Sequence, residues 1–172
     1  ISVKTNSLNN TMIYSYDNNG NITQIQDEQN RINIFSYDSK NRLTVATNPL
    51  NKNKLFAYDG NGNIVSITDY KGQIVYISYD PKNNLINENT SDSKISFEYD
   101  SLDNIIRAIK YLNDDVTVES QMTYTYDNGD RLRNENTIAG PILPATTIQN
   151  NYDNNNRRIN LRDNANILTE YQ

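Results

Sequence analysis

The sequence predicts an all-β protein, a run of tandem β-hairpins forming a curved, spiralling antiparallel sheet. Three observations carry this prediction. A Tyr-Asp pair occurs seven times, at Tyr16-Asp17, Tyr37-Asp38, Tyr58-Asp59, Tyr79-Asp80, Tyr99-Asp100, Tyr126-Asp127 and Tyr152-Asp153. Four residues after every Asp stands Asn or Arg, namely Asn21, Arg42, Asn63, Asn84, Asn104, Arg131 and Arg157. Ahead of each Tyr, large and small side chains alternate with a period of two, the signature of a strand with one covered face. A register kept through seven copies marks a repeat architecture, with each unit packing on its neighbours.

One unit follows from that pattern. Two residues before the tyrosines lie Tyr14, Phe35, Phe56, Ile77, Phe97, Tyr124 and Asn150, and between them Ser15, Ser36, Ala57, Ser78, Glu98, Thr125 and Asn151. The Tyr closes the strand. The Asp opens a turn, where its carboxylate accepts backbone N–H groups two or three residues on. A second strand starts at Ile22, Leu43, Ile64, Leu85, Ile105 and Leu132, whereas the seventh copy has Arg158 there.

In chain order, residues 1–10 read as the tail of a preceding unit, with Val3 and Leu8 too sparse to place well. Thr11 to Asp17 reads as the first clear strand, and the return strand of that unit follows a turn near Glu28 to Asn30. Asn48-Pro49 breaks the second unit, because proline cannot donate to a ladder. Asp69-Tyr70-Lys71-Gly72 turns the third, and residues 84–99 make the shortest unit. Residues 105–126 and 131–152 hold insertions, read as a hairpin tip at Asn113-Asp114-Asp115 and a loop over Ala139-Gly140-Pro141 and Pro144. The whole of 1–172 is thus read as a single array of about seven units, a section of a longer protein.

Composition limits the chemistry. Close to a fifth of the residues are Asn and mean hydropathy is −0.81, values that alone favour disorder. The repeat argues otherwise, since Tyr and Ile recur where a covered face needs them and Asn collects in turns. There is no Cys and no His, which removes disulfides, thiolate metal sites and the usual general base. The net charge of −5 speaks against nucleic acid and anionic lipid, and no apolar run suits membrane insertion.

The unit Tyr58-Asp59-Gly60-Asn61-Gly62-Asn63-Ile64, followed by Ile67-Thr68-Asp69, resembles the YD-repeat (RHS-repeat) family over about residues 11–172. The family includes bacterial RHS and wall-associated polymorphic toxins, toxin-complex shell subunits and teneurins. The resemblance implies a hairpin ribbon wound into a β-shell that encloses or presents a C-terminal effector domain. It implies a secreted or cell-surface location, with a bacterial cell-wall association, and flanking repeats and an effector as partners. The self-cleaving terminus of such shells has no counterpart in this sequence, so no cleavage activity is carried over. The turns are poor in Gly, with Lys40-Asn41, Lys82-Asn83 and Leu102-Asp103 in its place. Asn and Asp reach the left-handed region at modest cost.

No catalytic, cofactor-binding or metal-binding residue is expected. Asp59, Asn61 and Asn63 echo the start of a calcium loop. Ile64 stands where that loop needs Gly and no Glu follows at its twelfth position, so the carboxylate is read as a turn cap. Asp114-Asp115 is read as an exposed hairpin tip rather than an acid–base pair. The tyrosine stripe has two readings, a ladder that holds units in register and an aromatic surface for glycan or cell-wall polymer. The first makes the protein a structural segment and the second a carbohydrate-binding module. Open sheet edges near Thr11 to Tyr16 and Asn160 to Tyr171 predict self-association.

Overall fold

A computed structural model describes residues 1–5, 11–112, 117–139, 146–162 and 168–170. All regular structure there is β, and within each of two units the strands lie in chain order, each antiparallel to the next. The chain divides into two compact units, Ile1–Ile77 and Ser78–Gln172, with the division inside one strand. The anticipated tips at 113–116 and 140–145 lie outside the described residues.

The first unit holds β1 (Ser2–Thr5), β2 (Thr11–Tyr16), β3 (Ile22–Gln26), β4 (Ile32–Tyr37), β5 (Leu43–Thr47), β6 (Asn53–Tyr58), β7 (Ile64–Thr68) and the start of β8 (Ile74–Tyr79). The opening residues are more ordered than their composition suggests. β1 pairs with β2 from Ser2↔Tyr14 to Thr5↔Thr11, so β1, not Thr11 to Tyr16, is the outer strand. Two backbone ladders satisfy the polar groups of β2 where the sparse apolar content of residues 1–10 gave no signal.

Exposure alternates strictly along β4, β6 and β8: Ile32, Ile34, Leu55, Ile74 and Tyr76 are exposed, while Phe35, Phe56, Val75 and Ile77 are half-buried. The less exposed face carries the tyrosines. Phe35 stands opposite Ala46 and Phe56 opposite Ile67, and Ala46 is 5% exposed.

The second unit continues with β9 (Leu85–Asn89), β10 (Lys94–Tyr99), β11 (Ile105–Tyr111), β12 (Val118–Tyr126), β13 (Leu132–Ala139), β14 (Thr146–Tyr152), β15 (Arg158–Arg162) and β16 (Leu168–Glu170). Here Ile109 and Asn150 are buried on opposite faces of the sheet, Ile109 beside Ser96 and Gln121 in the ladder. Among the described residues no side chain is wholly buried. Each unit is therefore held by ladders and half-covered side chains more than by a deep core.

Six of the tyrosines that precede a turn sit at a β-bulge, five facing Ile or Leu and Tyr152 facing Arg158. Ser15 faces Gln24 but Tyr16 faces Ile22, which leaves Thr23 over, and the same shift occurs at Tyr37, Tyr58, Tyr99, Tyr126 and Tyr152. The extra residue lets Ile22 and Ile25, three apart, share one face, and bends the strand next to the turn.

Candidate functional site

The repeated chemistry sits at the turn that follows each tyrosine. The Asp17 N–H donates to the Asn21 carbonyl at 3.0 Å, and the Gly20 N–H to the Asp17 carbonyl at 3.2 Å. Equivalent pairs close the turns at Asp38, Asp59, Asp80, Asp100, Asp127 and Asp153. The third residue after each Asp has positive φ: Gly20, Asn41, Gly62, Asn83, Asp103, Asp130 and Asn156. Five of the seven are Asn or Asp, the residues that tolerate this region best after Gly.

The turn leaves two inward N–H groups, and the carboxylate takes both. Asp17 Oδ1 accepts from the Asn19 N–H at 2.9 Å and the Asn21 N–H at 2.8 Å, two and four residues on rather than two or three. Its Oδ2 accepts from Asn21 Nδ2 at 2.8 Å. Asp59 with Asn63, Asp80 with Asn84 and Asp100 with Asn104 repeat the carboxamide contact. Arginine does the same with Nε, from Arg42 to Asp38, Arg131 to Asp127 and Arg157 to Asp153 at 2.7 to 2.9 Å. These donors lower the carboxyl pKa of Asp17, Asp38, Asp100, Asp127 and Asp153. The Asn21 side chain leads for Asp17, and backbone N–H groups lead for Asp38, Asp100 and Asp153. The Arg131 guanidinium leads for Asp127 and holds it at about 2.

The tyrosines before these turns reach back to the preceding hairpin. Tyr37 donates its hydroxyl to the Ile22 carbonyl, Tyr58 to Leu43, Tyr99 to Leu85, Tyr126 to Ile105 and Tyr152 to Leu132, each at 2.8 Å. The β3–β4 ladder stops at Gln24↔Ile34, so the Ile22 carbonyl lies beyond it and the hydroxyl satisfies it. Tyr16 pairs instead with Ser2 Oγ at 3.0 Å, and Tyr79 is half-buried at the end of β8.

Side chains four residues after the Asp bridge forward as well. Asn21 Nδ2 donates to Asn41 Oδ1 at 2.8 Å, Asn84 to Asp103 at 2.9 Å, Arg131 to Asn156 at 2.8 Å, and Asn104 to Asp130. The acceptor in each case is the left-handed residue of the following turn. Where that residue is Gly62, which has no side chain, Arg42 donates to the Asp59 carbonyl at 3.2 Å, with its guanidinium 4.4 Å over the Tyr58 ring.

Sequence reasoning noted Asn and Asp at the left-handed positions for their backbone tolerance but missed their second task as acceptors. The signal was present: Gly, Asn or Asp always stands three residues after the Asp. It also missed that Asp27, Asn48 and Asp69, spaced by 21 residues, build the same turn at the other end of the first unit's hairpins.

Among the described residues no group of His, Cys, Asp or Glu could hold a metal ion, and no helix is long and apolar enough to cross a membrane. The carboxylates at the turns are spent on N–H donors, which leaves the site the chemistry of a latch between hairpins.

The RHS repeat family model matches residues 37–74 and 58–94. Comparison with curated proteins gives no match. Among solved structures, the chain resembles a TcdB2-TccC3-Cdc42 crystal structure at 19% identity and a TM-score of 0.77, covering 93% of this chain and 10% of that one. It also resembles the Photorhabdus luminescens Tc holotoxin pore (19%, TM-score 0.75, 93% and 9% covered) and a TcdB2-TccC3 crystal structure (19%, 0.76, 93% and 10%). The chain spans about a tenth of the length of these proteins, and the likeness is one of fold. The RHS match lies on the same Tyr-Asp turns that recur before and after it, and together with the likeness of fold it supports a YD/RHS-repeat family for the chain.

Proposed function

We propose that this chain is a non-catalytic wall segment of a secreted or cell-surface YD/RHS-repeat protein, part of a shell that encloses or presents a C-terminal effector. On this reading residues 1–172 form one array within a longer run of repeats, and the Tyr, Asp and Asn/Arg positions define its units. Flanking repeats and the effector domain are its partners. The observation that carries the reading is the use of the repeated side chains: tyrosine hydroxyls donate to carbonyls of the preceding hairpin, and both oxygens of each turn carboxylate accept hydrogen bonds. Neither group is left for a substrate. The same observation weighs against the tyrosine stripe as a glycan surface, because its hydroxyls are turned to the backbone.

Limited proteolysis of the parent protein tests the proposal. The array and the segment after it are expected to resist cleavage together, and Tyr58→Ala with Tyr99→Ala to open both. A following segment cleaved as fast in the intact protein as when expressed alone would overturn it.

A further inference from the structure

We infer that the charge-free face of the first unit stacks on the same face of a second copy of this chain. It is the face turned away from the tyrosines. Ladder register carries it across β2–β8: Ser36, Val45, Leu55, Thr68 and Ile74 stand in one row, and Ser66 stands beside Tyr76 in the next. Among the described residues no Asp, Glu, Lys or Arg lies on this face of β1 to β8. Ile34 is nevertheless 46% exposed there and Tyr76 58%.

The other faces are built differently. On the tyrosine face of the same unit, Lys4 lies over the Tyr14 ring and Lys54 over the Phe56 ring, at 5.5 and 5.3 Å. Long cationic side chains cover apolar rings there. In the second unit, the face away from the tyrosines carries Lys94, Glu98 and Arg107, the last two paired at 3.1 Å. Net charge follows the same division. Ile1–Ile77 hold seven Lys and Arg against six Asp and Glu, and Ser78–Gln172 hold nine against fifteen. The acidity of the chain thus belongs to the second unit, and the first is close to neutral, a state that favours association.

Size and chemistry fit a second copy. β2–β8 span six strand spacings, about 29 Å, and their residues run about 18 Å along the strands. That projects to on the order of 500 Å², to which side chains standing off the sheet add relief; a stable pair takes about 800 Å² of accessible surface from each partner. Part of the relief is a depression of about 430 Å³ lined by Ile32, Ile34 and Thr47. Two such faces meet as the layers of a β-sandwich do, about 10 Å apart, with no like charges brought together. A strongly charged partner would find no counter-charge on the face. A lipid surface would have to desolvate the amides of Gln24, Gln26 and Asn53, which share it.

Sedimentation equilibrium of the 172-residue chain is the test, with Val3→Pro present throughout to disable the β1 edge. A dimer is expected to persist in that background. Ile34→Lys and Tyr76→Lys should each raise its dissociation constant about tenfold or more, and Ser39→Lys, in a turn, should leave it unchanged. Both face variants should keep the circular dichroism of the parent at concentrations where all are monomeric, which separates lost stacking from lost folding. A chain monomeric at every concentration would overturn the proposal, as would a dimer indifferent to both face substitutions. So would a monomer that floats with phosphatidylcholine vesicles until either face residue is replaced.

Discussion

At the scale of single residues, the turn latch makes each side chain answer to a specific backbone group. Tyr58→Phe keeps the ring but leaves the Leu43 carbonyl without its donor, and should cost about 1 kcal/mol. Tyr58→Ala also removes the ring over which Arg42 lies, and should cost about 2 kcal/mol or more; urea unfolding measures both. Asn41 sits at φ 60° and accepts from Asn19 and Asn21. Asn41→Val puts a β-branched side chain in that region and removes the acceptor, for an expected loss of about 2 kcal/mol. The carboxylates set the acid limit. Asp127 has its folded pKa lowered from 3.8 to about 2, so its contribution is fully present above pH 3.8 and is lost as pH falls toward 2. The other lowered aspartates act in the same direction. Stability measured from pH 5 down to pH 2 should therefore fall with acid, and Arg131→Gln should flatten the part of that fall due to Asp127.

At the scale of the strand, alternation predicts opposite outcomes for neighbours in sequence. Leu55 is 41% exposed and Phe56 is half-buried opposite Ile67. Leu55→Gln should change stability by less than about 0.5 kcal/mol, and Phe56→Gln should lower it by about 2 to 3 kcal/mol. Equal effects in denaturant unfolding would contradict the face assignment. This alternation was legible in the sequence, as were the strand ends at each Tyr and the strand starts at Ile or Leu, because polar turn residues and apolar strand residues separate cleanly. The bulges were not foreseen, although Ile22 and Ile25, or Ile64 and Ile67, break the period of two and announce an extra residue. β1 was missed for a different reason. Its order comes from hydrogen bonding to β2, and backbone pairing leaves no mark in side-chain hydrophobicity. The exposed face of the first unit was unforeseen too, since periodicity identifies two faces but not how completely either is covered.

For the molecule as a whole, neighbour-to-neighbour contacts make stability close to a sum of local terms. The outer strand β1 pairs on one side with β2 and carries Lys4 as its one charged side chain. Light scattering across a concentration series should show self-association of the 172-residue chain, and Val3→Pro should weaken it by disrupting the β1 edge. A strictly monomeric chain at every concentration would contradict edge pairing.

The forward contacts of the turn latch tie each hairpin to the next at its Tyr-Asp end. The spacing between pairs nevertheless drifts from 21 residues to 20, 27 and 26. The shorter spacing ends in the tight Thr90–Ser93 turn, and the longer ones extend the strands away from the Tyr-Asp end, with seven to nine residues in β11 to β14 against five or six in β2 to β10. Within each unit the hairpins resemble pages sewn along a single spine, with margins that can be trimmed or lengthened without unpicking the thread. A lineage can therefore add or delete residues at one margin and alter the outline, while the stitching that fixes the order of the pages stays the same.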